Sequence, residues 1–284
     1  MRVLFCSDGS NISFSALKNF SNWVEDAIVD VITVIDWSFL PDNVLVEADG
    51  FVTSCANMAD DVLAFAKVEV ENLGFQFGEK IKHCGSVVEA ILEQTEKVCY
   101  DFIILGSHGK KGIQKWLGSV SREIAYGEHL TTFTSKTENN GEKVLFTTDG
   151  SDSANCAIDC ALEILDLKHK EIHLCTVNES PDTLFLNGKV DSNWILEIEK
   201  LQDNYSYSIL QMLVEKFEGR GLHVTETVVL TGYPSKKIID YSKEKGIDLI
   251  VSGSKNKDKM KDFLLGSVSK RILENAKCDV LIFK

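Results

Sequence analysis

The sequence predicts an α/β protein of two tandem doubly wound domains, each a five-stranded parallel sheet of order 3-2-1-4-5 with helices on both faces. Three observations carry this. Short runs dense in β-branched and aliphatic residues alternate with segments of helical periodicity, as strand–helix–strand crossovers require. The opening strand at residues 3–6, followed by Ser7-Asp8-Gly9-Ser10, recurs at residues 144–147, followed by Thr148-Asp149-Gly150-Ser151. A glycine-rich stretch at residues 106–120, after the fourth strand, is echoed at residues 253–268.

Taken in order, each half begins with that strand, a tight turn and a helix. The first helix is read from Ala16, Leu17, Phe20 and Val24, and its copy from Ala154, Ala157, Ala161 and Ile164. Asp8 and Asp149 stand 141 residues apart. Second strands at 29–35 and 172–177 are rich in Val, Ile and Thr, as strands covered on both faces should be. Long amphipathic helices follow. Their core faces are read as Met58, Val62, Phe65 and Leu73, and as Trp194, Ile198, Leu201, Tyr205 and Leu213. Third strands at 77–84 and 224–230 lead through Gly85 and Gly232 into helices at 87–98 and 235–245. Fourth strands lie at 102–105 and 249–252. The last strand is well formed at 278–283 and threonine-rich and weak at 130–134. The polar stretch 136–142, KTENNGE, reads as a linker between domains 1–139 and 140–284.

The chain of 284 residues is 44% hydrophobic and 26% charged, which suits two globular domains with real cores. Its net charge of −13 argues against nucleic acid or an anionic membrane as a general partner. No stretch has the length of a membrane span and no signal-peptide pattern opens the chain, so a cytoplasmic location is expected. Eight cysteines include no C-x-x-C pair. Cys156 and Cys160, one helical turn apart, are read as packing residues, since a free thiol behaves as a small hydrophobe, with redox or metal chemistry as the alternative.

Doubly wound sheets bind ligands where strand order reverses, here between strands one and four. That crevice would set Asp8 opposite Gly106, and Asp149 opposite Gly253. The carboxylate would accept from sugar or base donors or, alternatively, cap the following helix. Gly106, Gly109 and Gly118, with Ser119 opening a helix, would offer backbone amides and a positive dipole end to an anion. Lys110, Lys111 and Lys115, and in the second loop Lys255, Lys257, Lys259 and Lys261, either attract phosphate or form a solvated loop. His108 is read as a phosphate contact, a pH sensor or a solvated loop residue.

D-G-S after strand one, then G-S-H-G and L-G-S-V-S, with a near copy in the second half, resembles the universal stress protein family in tandem. The family's nucleotide-binding signature is G-x-x-G, nine residues, then G-[ST]. The first half has both glycines but eight residues before Gly118-Ser119; the second has nine before Gly266-Ser267 but Asn256 in place of a glycine. The resemblance implies ATP or AMP as ligand, with Mg²⁺ as a companion of the phosphates. It implies contacts from Asp8 or Asp149 near ribose and adenine, and from the strand-two backbone at Val34 or Val177. Gly106, Gly109, Gly118, Ser119 and Val120, or Gly253, Asn256, Gly266, Ser267 and Val268, would cradle phosphate. The expected role is a nucleotide-binding stress-response regulator, with slow ATP hydrolysis at most because no general base stands out. The alternative is an interaction or scaffold module with vestigial crevices. Either would form an internal pseudo-dimer, a homodimer or contacts with other proteins.

Overall fold

The computed structural model describes residues 1–36, 49–107, 117–127, 130–179, 192–254 and 265–284, with backbone alone for 49–56 and 192–193. The chain divides into two compact units, Met1–Glu138 and Asn139–Lys284. In the first, the order of elements is β1 (Arg2–Cys6), α1 (Asn11–Ser21), β2 (Ile28–Ile35), α2 (Asp49–Asn72), β3 (Gln76–Cys84), α3 (Val87–Lys97), β4 (Phe102–Gly106), α4 (Ser119–Tyr126) and β5 (Thr132–Ser135). In the second it is β6 (Lys143–Thr147), α5 (Asp152–Ile164), β7 (Glu171–Asn178), α6 (Ser192–Glu218), β8 (Val224–Thr231), α7 (Pro234–Lys245), β9 (Leu249–Gly253), α8 (Ser267–Asn275) and β10 (Asp279–Phe283).

Within each unit the strands are parallel and the order is β3-β2-β1-β4-β5 or β8-β7-β6-β9-β10, the predicted 3-2-1-4-5 pattern. The central strands are apolar on both sides because helices cover both faces: Val3, Leu4 and Phe5 of β1, and Val144, Leu145 and Phe146 of β6, are all fully buried. Phe20 of α1 packs edge-on against Phe102 and Phe133, at ring separations of 5.7 and 5.4 Å. In the second unit Phe146 meets Phe217 of α6 at 5.0 Å.

The long helices turn inward a face that overlaps only in part with the one read off the sequence: Leu213 is buried as expected and Val62, Leu73 and Ile198 are half-buried. On α2 the buried stripe is Ala59, Leu63, Ala66 and Val70, while Met58 and Phe65 are exposed. On α6 it is Ser206, Ile209, Leu210, Leu213 and Phe217, whereas Trp194, Leu201 and Tyr205 are exposed. Both helices carry two apolar stripes. On α2 the stripe with the smaller residues, Ala59 and Ala66, lets the helix axis come close to the sheet, and the bulkier one lies on the flank.

The threonine-rich β5 is a regular parallel partner of β4, in register from Ile103↔Thr132 to Gly106↔Ser135. Its Thr132 and Thr134 hydroxyls are buried, with no hydrogen-bond partner among the described residues. Each forfeits the solvation of a polar group, so Thr132→Val and Thr134→Val, which preserve the β-branched shape, should each stabilise the protein by about 1 kcal/mol. The urea midpoint of each variant checks this, and a lower midpoint would show that the hydroxyls are satisfied.

A buried polar centre sits at one register position of each second strand. Asp30, opposite Leu4, is fully buried and accepts from Arg2 Nε at 2.9 Å, the Tyr100 hydroxyl at 2.8 Å and the Glu79 amide at 2.9 Å. His173, opposite Leu145, is 1% exposed. Its ring nitrogens lie 2.7 Å from the Tyr241 hydroxyl and 2.9 Å from Glu171 Oε1. Glu226 accepts from Lys245 Nζ at 2.7 Å. Hydrogen bonds from His173 and Lys143 hold the Glu171 carboxyl below its ordinary value of 4.5, and the Lys245 hydrogen bond does the same for Glu226. Their stabilisation is therefore present above pH 4.5 and lost as pH falls through the depressed values. Both carboxylates are partly solvated, so the loss should be under about 1 kcal/mol. Urea unfolding at pH 6 and pH 3 should show it, and Glu226→Gln should shrink that difference.

Candidate functional site

The first turn of each unit is built by a glycine and a serine. Gly9 and Gly150 adopt φ of 74° and 78°, where a side chain is strained, and so reverse the chain directly after the strand. Ser10 and Ser151 then cap α1 and α5, their side chains accepting from the Ser13 and Ala154 amides. Capping thus belongs to the serines rather than to Asp8 and Asp149. Each aspartate instead accepts, through Oδ1, the amide two residues on, at 3.0 Å from Ser10 or Ser151 nitrogen, and sits exposed at the strand end. Such an Asx turn orients the carboxylate along the crevice.

Val34 and Val177 are half-buried near the ends of β2 and β7. The last bonds to the neighbouring strand run from the Ser7 amide to Ile32 carbonyl and from the Thr148 amide to Cys175 carbonyl, both 3.0 Å. Backbone groups alternate along a parallel ladder, so Val34 and Val177, two residues on, turn theirs to the same side, where β1 and β6 have already bent away. Val177 lines the cleft of the second unit.

Gly106 and Gly253 end β4 and β9, and their lack of a side chain has a packing cause. A Cβ on Gly253 would stand 2.8 Å from the Ser153 carbonyl oxygen, and one on Gly106 would stand 3.3 Å from the Ile12 carbonyl oxygen. These glycines let the first turn of α5 and α1 close onto the adjacent strand. Ser269 and Ser121 pin the opposite wall, donating to the Gly253 and Gly106 carbonyls at 2.7 and 2.6 Å.

Gly118 and Gly266 are the N-caps of α4 and α8 and make no side-chain cap; neither helix has an acid in its first turn. Ser119 and Ser267 are exposed at the first helical position, with Val120 and Val268 half-buried behind them. The leading amides of both helices thus meet no carboxylate from their own first turn, an arrangement that attracts anions.

In the second unit, Asp149, Val177, Gly253, Gly266, Ser267 and Val268 line a single cleft of about 720 Å³. The same elements hold Asp8, Val34, Gly106, Gly118, Ser119 and Val120 at matching places in the first. His108, Gly109, Asn256 and the loop lysines at 110, 111, 115, 255, 257, 259 and 261 lie outside the described residues. The cleft also includes Thr148, Glu179 and Lys270, which the sequence reading did not single out. A signal for Lys270 was present: a cation follows the G-S-V-S run in both halves, Arg122 in the first and Lys270 in the second. Among the described residues no helix is long and apolar enough to cross a membrane.

Comparison with known proteins agrees with this architecture. Universal stress protein YxiE of Bacillus subtilis is 32% identical over 146 residues, covering 50% of this chain and 98% of that protein. Universal stress protein MJ0531 of Methanocaldococcus jannaschii is 32% identical over 148 residues, covering 52% of this chain and 84% of that one. The crystal structure of a universal stress protein from Archaeoglobus fulgidus shares the fold over 100% of this chain and 98% of that chain, with a TM-score of 0.71 at 23% identity. The profile of the Universal stress protein family matches residues 1–127 and again 141–284. With both halves matched, the chain belongs to the universal stress protein family, as a tandem of two of its domains.

Proposed function

We propose that the protein is an adenine-nucleotide-binding stress-response regulator that holds ATP or AMP in its crevices. The observation that carries this reading is the cleft of the second unit. On one wall it has the uncapped start of α8 with Lys270 in its first turns, and on the other the carboxylate of Asp149. An anion-seeking wall and a donor-seeking wall suit a ligand with phosphate at one end and hydroxyl-bearing sugar and base at the other. Ser267, Val268 and Gly266 would take phosphate, with Asn256 from the loop. Asp149 and the Val177 backbone would take ribose and base. Domain 1–139 would bind alike through Asp8, Val34, Gly106, His108, Gly109, Gly118, Ser119 and Val120, and domain 140–284 through the residues just named with Gly253. Among the described residues no three His, Cys, Asp or Glu converge on a metal position, so Mg²⁺ would enter on the nucleotide's own phosphates. The reading places the protein in the cytoplasm, where ATP and AMP are abundant.

Ser267→Asp tests the reading. A carboxylate at the first helical position stabilises a helix by about 0.3–1 kcal/mol through the dipole, yet repels a phosphate seated there. Calorimetric titration should show ATP affinity reduced by about 10- to 100-fold, equivalent to about 1.4–2.8 kcal/mol, with an unchanged or raised melting temperature. Ser119→Asp reports on the first unit in the same way, and AMP run beside ATP separates the two ligands. If wild-type protein gives no heat with either nucleotide at millimolar concentration, the nucleotide reading is lost and an interaction module stands in its place.

A further inference from the structure

Helix α5 carries a second feature, on the side away from the core. Ala154, Ala157, Ile158, Ala161 and Leu162 face the sheet, while Cys156 is exposed and Cys160 half-exposed on the opposite side. The expectation that both thiols pack in the core is thus not met. They are one turn apart on that side of the helix, at positions i and i+4. Burial, then Cys156, Glu163 and Asp159, push the Cys160 thiol pKa up. Both carboxylates are drawn off by cations of α6 and the turn that follows, Asp159 to Lys216 at 2.7 Å and Glu163 to Arg220 at 3.9 Å.

Two thiols at i and i+4 of a helix have Cβ atoms about 5–6 Å apart. A disulfide needs about 3.5–4.5 Å, so oxidation to a bond would require α5 to unwind, whereas an ion placed between the sulfurs requires no such movement. Among the described residues no third His, Cys, Asp or Glu completes a group around them. That rules the pair out as a tetrahedral zinc site and suits an ion content with two soft ligands.

We propose that Cys156 and Cys160 form a two-coordinate site for a soft monovalent cation of the copper(I) class. Binding replaces both S–H protons by sulfur–metal bonds: M⁺ and two thiols give a bis-thiolate complex of net charge −1 and two released protons, with no change of oxidation state. Copper(I) is tuned to such sulfur donors, and proton release makes the affinity rise with pH.

The test is anaerobic competition for copper(I) against bicinchoninate, using the full chain. Wild type should hold one copper(I) per chain, and Cys156→Ser or Cys160→Ser should each weaken it by about 100-fold, because one thiolate remains. Cys84→Ser and Cys99→Ser, which remove exposed single thiols elsewhere, should leave it unchanged. While both thiols are protonated, affinity should climb by up to about 100-fold per pH unit, the mark of two protons leaving together. Serine replacements on the outer face should not shift the melting temperature, which separates lost ligation from lost fold. Equal copper(I) affinity in wild type and the Cys156 and Cys160 variants would overturn the proposal, and so would a one-proton pH slope.

Discussion

Gly253→Ala should destabilise the second unit by about 2–3 kcal/mol, while Gly106→Ala at the equivalent place should cost about 1 kcal/mol or less. The difference comes from what the new methyl would meet. At Gly253 it would lie 2.8 Å from the Ser153 carbonyl oxygen, 3.1 Å from its carbon and 3.2 Å from the Ala154 Cα, all backbone of a helix start that cannot rotate aside. At Gly106 the three nearest atoms, the Ile12 Cγ2, the Ile12 carbonyl oxygen and the Ser13 Cα, all stand at 3.3 Å, so a shift of a few tenths of an ångström accommodates the methyl. The strain at Gly253 falls on the turn that carries Ser151 and orients Asp149, so on the proposed nucleotide reading affinity in that unit should fall along with stability. Urea unfolding followed by circular dichroism, with ATP titration of the same samples, measures both. A Gly253→Ala protein as stable as wild type would mean that α5 can retreat from β9, and the packing explanation for that glycine would be wrong.

Arg2→Met should cost about 2–4 kcal/mol, below the top of the range for leaving one half of a buried ion pair unmatched. Asp30 is fully buried, and Arg2 reaches it with two nitrogens, Nε at 2.9 Å and Nη2 at 2.8 Å. The hydrogen bond to Asp30 is the main reason the Arg2 guanidinium holds its proton even more firmly than usual. Methionine retains the aliphatic stem and its packing but removes the charge. The Tyr100 hydroxyl and the Glu79 amide still donate to the carboxylate, which keeps the loss short of a bare buried ion. The double variant Arg2→Met with Asp30→Asn should be more stable than Arg2→Met alone, since the unmatched charge is gone. A single variant within 0.5 kcal/mol of wild type, about the scatter of surface substitutions, would show that Asp30 does not depend on Arg2.

The strand order and the pairing of Asp8 with Gly106 and of Asp149 with Gly253 were legible because each is set by short-range signals repeated in the chain: β-branched runs, D-G-S turns and glycines at strand ends. The facing of the long helices was not. Met58, Phe65, Trp194, Leu201 and Tyr205 are large and apolar at helical spacing, and size invites their placement inside. What decides the phase is proximity to the sheet, which favours Ala59 and Ala66 on α2 and admits a serine, Ser206, on α6. That is a tertiary constraint with no local trace. Gly253 was legible as a glycine of the site, and the structure adds a cause the sequence does not carry: the missing side chain lets the first turn of α5 approach β9. Glu179 escaped notice because a carboxylate just past a strand end carries no periodicity, and its membership of the cleft follows only from where β7 stops.

The polar centres at Asp30 and His173 bear on whether the two copies are still exchangeable modules. They occupy one register position, yet each is matched to a different retinue: Arg2 and Tyr100 in the first half, Tyr241 and Glu171 in the second. A hybrid carrying β2 in place of β7 would bring the Asp30 carboxylate beside Glu226 and take away the imidazole that Glu171 and Tyr241 now engage. Transplanting that strand alone would therefore separate a buried polar group from its partners. The two halves thus share a plan of strands and helices, while the side chains that balance the buried polar group of each second strand are particular to each half.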